Sequence, residues 1–217
     1  MHNKKALSNE KRSTETKEKI LKSAELLFKE HGFENTSVES IVKRAGLSKG
    51  TFYVHFNSKD EIIAHFINAV ISKIDMDLDS IVNSVKDDTS VTTTLLKILE
   101  KVSFNKVDEL GYLLNKNAAM IQINKTLNHD LLINYNKALY RAVFKLITLG
   151  IERGEFNTTY SADAIASDFV TTIRGFIFEW IANYPNMDLN YCLQEHFKIY
   201  LVGLAHVNDK EAESVGN

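Results

Sequence analysis

The chain has 217 residues, of which 44% are hydrophobic and 25% charged, an ordinary globular composition that argues against a disordered protein. Its single cysteine, Cys192, cannot form an internal disulfide, so a reducing compartment, the cytoplasm, is expected. No apolar run approaches the roughly 20 residues needed to span a bilayer. The basic segment 1–12 leads into no apolar core, so no secretory signal is predicted.

Charge is unevenly distributed along the chain. Residues 1–60 carry 12 Lys and Arg against 8 Asp and Glu, whereas residues 61–217 carry 14 against 20. An excess of positive charge in one segment suggests a polyanionic partner for that segment. A solvated charged surface explains the same numbers, so the asymmetry alone does not assign a function.

The periodicity of the chain predicts an all-α protein. Proline occurs once, at Pro185, and apolar residues recur at the 3.6-residue spacing of a helix over long stretches. Residues 1–13 lack this spacing and are predicted to form a flexible basic arm. The first helix follows and is expected to end at Gly32, because glycine readily adopts the left-handed backbone of a helix C-terminus. Its apolar positions are Ile20, Ala24, Leu27 and Phe28.

Two short helices and one long helix are predicted next. Their apolar positions are Val38, Ile41, Val42 and Ala45, then Phe52 and Phe56, then Ile62, Phe66, Val70, Ile74 and Leu78. Further helices are predicted near residues 90–105, 108–126, 129–153, 161–183 and 188–206. A domain of about 60 residues is barely stable alone, so the first part is expected to pack on the larger remainder.

Residues 36–61, TSVESIVKRAGLSKGTFYVHFNSKDE, contain three signals for the start of a helix. Thr36 with Glu39, and Ser58 with Glu61, have the spacing of capping boxes, in which side chains bond to free backbone N–H groups. Ser48 stands where its hydroxyl can cap the third helix.

A glycine-containing turn separates the second and third helices. Gly46 can adopt the left-handed backbone that ends a helix abruptly, and Leu47 can then fold into the angle between the two helices. This arrangement is a helix-turn-helix. The predicted organisation is therefore an arm over residues 1–13, a helix-turn-helix DNA-binding domain over 14–60 and a helical domain over 61–217.

The third helix is predicted to have one buried and one exposed face. At ~100° per residue, Phe52 and Phe56 point inward together. The outward and flanking positions are Lys49, Gly50, Thr51, Tyr53, Val54 and His55.

This exposed face suits the major groove of DNA better than it suits solvent. Gly50 allows close approach of a DNA backbone, the hydroxyls of Thr51 and Tyr53 can reach phosphates or base edges, and Val54 can contact a thymine methyl group. Lys49 can reach a phosphate or a guanine. Neither arginine of the first 60 residues lies on this face, so the bidentate arginine–guanine contact is not available from it.

The stretch from about Thr16 to Ile63 resembles the tetracycline-repressor (TetR) family of bacterial transcription regulators. The segment KEHGFENTSVESIVKRAGLSKGTFYVHFNSKDE carries the resemblance, together with the apolar-periodic helix before it. The resemblance implies a homodimer of all-helical subunits, each with a small three-helix DNA-binding domain and a larger domain for ligand binding and dimerisation.

The resemblance also implies which side chains contact DNA. Phe52 and Phe56 match packing positions, and Val54 matches a position that varies, which makes it a candidate for operator choice. Ser48 is added to the predicted DNA-binding residues because it directly precedes the third helix. The predicted DNA-binding residues are Thr36, Ser48, Lys49, Gly50, Thr51, Tyr53, Val54, His55 and Lys59.

The last two helices are apolar over wide arcs, which predicts two contacts for each. One contact is with the subunit itself, and the other is with the same helices of a second copy, as a four-helix bundle in a twofold dimer. A purely internal core is the alternative. The apolar residues concerned are Ile165, Phe169, Ile173, Phe176, Ile177, Trp180 and Ile181, then Leu189, Leu193, Phe197, Tyr200, Leu201 and Leu204.

Candidate ligand-binding residues in the helical domain are Tyr112, Asn117, Met120, Arg174 and Trp180, because an apolar pocket needs a few orienting polar groups. Each of them also suits an ordinary core or surface role. No catalytic cluster, metal-ligand spacing or glycine-rich phosphate loop is evident, so no enzyme activity, metal or cofactor is predicted. Cys192 and His196 provide two potential ligands on one helix, which is too few for a metal site.

The sequence therefore predicts a transcription regulator, most simply a repressor that a small molecule releases from a near-palindromic operator. One alternative retains the DNA-binding domain but gives the second domain a protein partner, as in a co-activator or an architectural factor. Another alternative is a helical enzyme or carrier, against which the missing catalytic cluster argues.

Overall fold

A computed structural model describes the backbone of residues 2–104, 109–124 and 129–206 and the side chains of residues 10–103, 111–120, 123 and 137–206. Most of these residues are helical and none lies in a strand, in agreement with the predicted all-α class. The helices are α1 His2–His31, α2 Val38–Ala45, α3 Lys49–His55, α4 Lys59–Asn83, α5 Val91–Phe104, α6 Glu109–Asn124, α7 His129–Glu152, α8 Ala162–Asn183 and α9 Leu189–His206.

The first helix is longer than predicted. It begins at His2, so the prediction that residues 1–13 form a non-helical arm is wrong for all but Met1, which lies outside the described residues. Residues 2–31 contain neither glycine nor proline and are rich in Lys, Glu, Ala and Leu, which favour helix without any apolar stripe. Residues 10–15 are exposed, which explains why no periodicity marks this part of the helix.

Local capping determines where most of the N-terminal helices start and stop. Gly32 and Gly46 have φ of 76° and 67° and end α1 and α2, as the sequence predicts. Ser48 caps α3 and Ser58 caps α4, each through its hydroxyl. The second member of the α4 capping box differs from the prediction, because the Glu61 carboxylate accepts a hydrogen bond from the backbone N–H of Asn57.

The predicted cap of α2 is wrong by one residue. Ser37 and Ser40 form the capping box, each hydroxyl accepting a hydrogen bond from the other residue's backbone N–H at 3.1 Å. Thr36 is 3% exposed, and its hydroxyl donates to the carbonyl oxygen of Gly32 at 2.8 Å. This contact fixes the end of α1, so the threonine is not free to cap the next helix.

The buried side chains form two clusters, one for the N-terminal head and one for the helical body. The head cluster joins α1, α2 and α3 to the first three turns of α4 through Ile62, Ile63 and Ile67. The body cluster includes Ile74 and Leu78, further along α4. The head core therefore extends past residue 60, where the sequence places the domain boundary, because α4 is one continuous helix that serves both cores.

Helix α6 is the second element that contacts both clusters. Leu114, 6% exposed, belongs to the head cluster, and Leu113 and Ala118 pack against it. Tyr112 packs against the body cluster. Adjacent residues on α6 thus touch the two halves of the molecule.

The body is closed at its far end by the segment that follows α7. Phe156 is buried against Gly150, where a Cβ atom would lie only 2.3 Å from a carbon of the phenyl ring. The Glu155 carboxylate accepts a hydrogen bond from the backbone N–H of Val91 at 2.9 Å, and Arg153 donates to the carbonyl oxygen of Thr89 at 3.1 Å. Gly150 is therefore a packing requirement inside α7 and not a helix end.

Helices α8 and α9 each have one buried and one exposed face. The apolar residues that the sequence assigns to two contacts, such as Phe169 and Phe197, are buried or half-buried in the body cluster of the subunit. A different set of apolar residues is exposed on these helices: Phe178 at 58%, Tyr191 at 63%, Ile199 at 76% and Val202 at 61%. Among the described residues, no helix is both long enough and apolar enough to cross a membrane.

Candidate nucleic-acid interface

The turn between α2 and α3 sets the angle of the candidate recognition helix. The backbone N–H of Leu47 donates to the carbonyl oxygen of Val42 at 2.9 Å, and that of Gly46 donates to Lys43 at 3.3 Å. Leu47 then packs half-buried on the head cluster. Both features agree with the prediction of a helix-turn-helix.

Helix α3 has the two faces that its sequence predicts. Phe52 is 0% exposed and Phe56, the residue after the helix, is 2% exposed. Between them, Tyr53 is 50% exposed and Val54 is 79% exposed. The inward aromatic pair therefore anchors the helix to the head and leaves Tyr53 and Val54 accessible to a partner.

Gly50 lies on α3 with open space around it. A Cβ atom built there would meet only the Ser48 hydroxyl, at 3.8 Å. Its backbone is not in the left-handed region, so the fold does not require glycine at this position. Glycine inside a helix lowers stability by about 1 kcal/mol relative to alanine. The folding of the subunit therefore does not explain why residue 50 is glycine.

The start of α3 is tied together by hydroxyl groups. The Ser48 hydroxyl accepts a hydrogen bond from the backbone N–H of Thr51 at 3.1 Å and lies 2.8 Å from the Thr51 hydroxyl. Ser48 is exposed, whereas Thr51 and His55 are half-buried. Ser48 thus positions Thr51 at the edge of the exposed surface.

Lys49 is exposed but paired. Its ammonium group donates a hydrogen bond to the carboxylate of Glu39 on α2. This bond lowers the pKa of Glu39 and raises the pKa of Lys49. Arg44 is likewise paired, through a two-pronged contact with Glu30 on α1 that includes a distance of 2.7 Å. The sequence gives no sign of either pair, because the partners lie 10 and 14 residues apart on different helices.

Lys59 is predicted to contact DNA, but in the structure its side chain contacts the turn between α1 and α2. Its ammonium group donates to the carbonyl oxygens of Phe33 at 2.9 Å and Thr36 at 3.2 Å, and lies 4.3 Å from the centre of the Phe33 ring. A third carbonyl oxygen, that of Glu34, is 3.4 Å away. Lys59 therefore holds the turn between α1 and α2, and its charge is directed at that turn.

Thr36 is the least accessible of the predicted DNA-binding residues. Its side chain is buried, and its hydroxyl is committed to carbonyl oxygens at the end of α1. The remaining predicted residues gather on or beside one short helix, namely Ser48, Lys49, Gly50, Thr51, Tyr53, Val54 and His55.

The predicted ligand-binding residues do not form one group. Tyr112 and Trp180 come together, with ring centres 5.8 Å apart, and both contact Tyr184. Arg174 is exposed, Met120 is 49% exposed, and the amide of Asn117 donates to the carbonyl oxygen of Leu113 on its own helix. Only the aromatic pair therefore remains as part of a candidate site. No group of three or more His, Cys, Asp or Glu that could hold a metal occurs within the described ranges.

These features define a helix-turn-helix protein with an exposed recognition helix on a small head and a larger helical body. Residues 20–66 match the sequence family described as bacterial regulatory proteins of the tetR family. This match supports a TetR-family transcriptional regulator, a class of DNA-binding proteins.

Relatives with known sequences agree with this assignment. An HTH-type transcriptional regulator of Staphylococcus aureus strain USA300 is 27% identical over 196 residues, covering 85% of this chain and 96% of the relative. YerO of Bacillus subtilis strain 168, an uncharacterised HTH-type regulator, is 43% identical over 49 residues, which cover 23% of this chain and only 17% of YerO.

The fold is shared along most of the chain. FadR of Thermus thermophilus, a TetR-family repressor solved in complex with lauroyl-CoA, superposes with a TM-score of 0.62 over 89% of this chain and 96% of its own. The two sequences are 17% identical, so this likeness concerns the fold alone.

Proposed function

We propose that the protein is a ligand-responsive repressor that binds a near-palindromic operator as a homodimer and is released by a small molecule. The observation that carries the proposal is the exposed face of α3, where Tyr53 and Val54 lie between the buried Phe52 and Phe56. A helix anchored in this way can lie in the major groove while the head core stays intact.

Each exposed group on α3 has a defined part in this proposal. The open Gly50 allows a DNA backbone to approach closely, and this accounts for a glycine that the fold does not need. Tyr53 and Thr51 offer hydroxyl groups to phosphates or base edges, and Val54 contacts a thymine methyl group. Ser48 positions Thr51, and His55 lies at the other end of the contact surface.

Lys49 contacts DNA only after an exchange of partners. In the free protein its ammonium group bonds to Glu39, so a phosphate must replace that carboxylate. Both side chains are exposed, and exposed ion pairs contribute little to stability, so the exchange costs little. Glu39 then repels phosphates that do not engage Lys49, which favours one register on the duplex.

The proposed dimer forms through the exposed faces of α8 and α9. Ile199 and Val202 project from α9, and Phe178 projects from α8. Gly175 and Gly203 lie on the same faces, with nothing within 4 Å of a built Cβ atom. Exposed glycines in helix interiors reduce stability, but they allow helices of two subunits to approach closely. Two heads joined in this way can reach successive major grooves about one helical turn apart.

Helix α4 links ligand binding to DNA binding in this proposal. Its first turns carry Ile62 and Ile63 in the head core, and its later turns carry Ile74 and Leu78 in the body core. A small molecule that favours one position of α4 in the body changes the spacing of the heads. Ligand and operator then weaken each other by the same factor, typically ~1–3 kcal/mol. The lauroyl-CoA complex of the similar FadR provides a precedent for a ligand in this fold. The expected compartment is the cytoplasm.

The proposal is tested with Gly50→Ala and duplexes from the DNA around the protein's own gene. We expect the wild type to bind with an affinity that falls linearly as log salt rises, because phosphate contacts release counterions. Gly50→Ala should raise the free energy of unfolding, by up to about 1 kcal/mol, and weaken operator binding at least tenfold. A variant that binds DNA as well as the wild type would show that α3 does not approach a duplex at this residue.

A second comparison concerns operator choice. Val54→Ala should relax preference at one base-pair position by ~1 kcal/mol or less, below the value of a good bidentate pair. Met76→Ala removes a comparably exposed apolar side chain, 68% accessible, from the body and should leave the preference unchanged. Selection of binding sites from random duplexes provides the measurement. An identical preference for wild type and Val54→Ala would contradict a contact at this residue.

A further inference from the structure

A cleft of about 370 Å³ lies where the end of α8, the turn after it and the start of α9 meet the last turn of α5. Trp180, Tyr184 and Met187 provide aromatic and apolar walls. Asp188 and Asn190 provide polar groups, and the buried Ser103 lies beside them. Volumes of this size hold small organic molecules, and mixed walls of this kind orient them.

The aromatic walls are held in a fixed arrangement. The rings of Tyr112 and Tyr184 stack with their centres 4.0 Å apart and their planes 13° apart. Trp180 meets both rings edge-on, at 5.8 Å and 5.5 Å. Trp180 is 4% exposed. The cleft thus has preformed aromatic walls.

The charge of the cleft is negative. Asp188 is the one charged residue among those that line it, and its carboxylate has no cationic partner within the part of the chain that the structure describes. One carboxylate oxygen accepts a hydrogen bond from the backbone N–H of Tyr191 at 3.0 Å and caps α9, which leaves the other oxygen available. A carboxylate beside aromatic rings favours an organic cation, since ring faces also attract positive charge.

The cleft is connected to the DNA-binding head by one helix. Tyr112 stacks on the wall residue Tyr184, and two residues later on α6 Leu114 is buried in the head core. A molecule that displaces Tyr184 or Trp180 must therefore move Tyr112 or break the ring stack. Because α6 is a continuous helix, such a movement reaches the head directly.

We propose that this cleft binds a small aromatic or alkyl ammonium cation and that the bound cation alters DNA affinity through α6. The second half of the proposal rests on the proposed DNA-binding function. The cleft lies away from the proposed dimer face, because Trp180 is two residues, about 200° around the helix, from the exposed Phe178. Dimerisation through Phe178 therefore leaves the cleft open.

The chain provides its own probe, because Trp180 is its only tryptophan. Tryptophan emission is titrated with benzyltrimethylammonium, with benzoate and benzyl alcohol as anionic and neutral comparisons. We expect a saturable change with the cation and at least tenfold weaker binding of the other two. Asp188→Asn should weaken cation binding at least tenfold, and asparagine preserves the cap of α9. Glu179→Gln, an exposed carboxylate next to Trp180 but outside the cleft, should bind the cation as the wild type does.

Operator binding is then measured with and without a saturating concentration of the cation. We expect a change of fivefold or more in the wild type and a smaller change in Asp188→Asn at the same concentration, because the variant fills its site less completely. No emission change, or an equal change with benzoate, overturns the cation site. An emission change without any effect on DNA overturns the coupling through α6. If the protein binds no duplex even without the cation, the proposed DNA-binding function fails, while the emission titration still decides the cation site.

Discussion

At the scale of single residues, Gly150 fixes the far end of the body by the absence of a side chain. A Cβ atom there would overlap the ring of the buried Phe156. We expect Gly150→Ala to lower the free energy of unfolding by about 1–3 kcal/mol, the usual cost of overpacking, despite the better helix propensity of alanine. Urea denaturation followed by circular dichroism provides the measurement.

The double variant Gly150→Ala/Phe156→Leu serves as the control for this prediction. Leucine is smaller than phenylalanine and leaves room for the added methyl group. The two changes should therefore be less harmful together than the sum of their separate effects, as expected for residues in contact. Strict additivity would mean that the two residues do not compete for the same space.

His65 predicts a dependence of head stability on pH. Its ring lies between those of Phe56 and Phe66, each with a centre 6.3 Å away. Burial lowers its pKa below the ordinary 6.5, and the nearby charge of Lys17 lowers it further. The folded head thus binds a proton less readily than the unfolded chain, so stability is lost as the pH falls below 6.5.

Thermal unfolding of the wild type and of His65→Gln, measured from about pH 8 to about pH 5, tests this dependence. The melting temperature of the wild type should fall more steeply over the acid half of the range, since glutamine does not titrate. Parallel curves for the two proteins would show that His65 does not contribute to the acid sensitivity of the head.

At the scale of secondary-structure elements, Lys59 joins the start of α4 to the turn between α1 and α2. Its ammonium group contacts three carbonyl oxygens and the face of Phe33. Lys59→Met keeps an unbranched side chain, one atom shorter, but removes the donor. It should lower the stability of the head by about 1–3 kcal/mol, because hydrogen bonds from a charged group are lost.

Salt dependence distinguishes this positioning role from a phosphate contact. Loss of one phosphate contact lowers the slope of log affinity against log salt by ~0.9. Lys59→Met should weaken DNA binding without changing the slope, whereas Lys49→Gln should reduce the slope by about one unit. A reduced slope for Lys59→Met would restore Lys59 to the DNA-binding residues.

The elements that were predictable from sequence are those specified by neighbouring residues. The turn at Gly46, the cap at Ser48 and the inward pair Phe52 and Phe56 depend on local backbone conformation and helical spacing, and all three are confirmed. The role of Thr36 was not predictable, since its hydroxyl bonds to residues brought close only by the end of α1. The apolar periodicity does not reveal where α1 begins, because the exposed first part of that helix needs no apolar stripe.

At the scale of the whole molecule, the exposed apolar residues of α8 and α9 determine the proposed dimer. Ile199 is 76% exposed there and lies one turn from the exposed Val202. Ile199→Glu places a charge in the centre of that contact, and burying an unpaired charge is costly. We expect the variant to be monomeric at concentrations where the wild type is dimeric, as measured by light scattering after gel filtration.

The same variant should also lose operator binding, and this links the body to the head. Two heads on one dimer bind two half-sites at a high effective concentration, and separation of the subunits removes that gain, often 10²–10⁴-fold in affinity. Met76→Glu, which adds the same charge at a residue 68% exposed on α4, should leave both mass and DNA affinity unchanged. If Ile199→Glu remains dimeric and binds the operator normally, the subunits associate through another surface. In that case the exposed residues of α8 and α9 need a different partner.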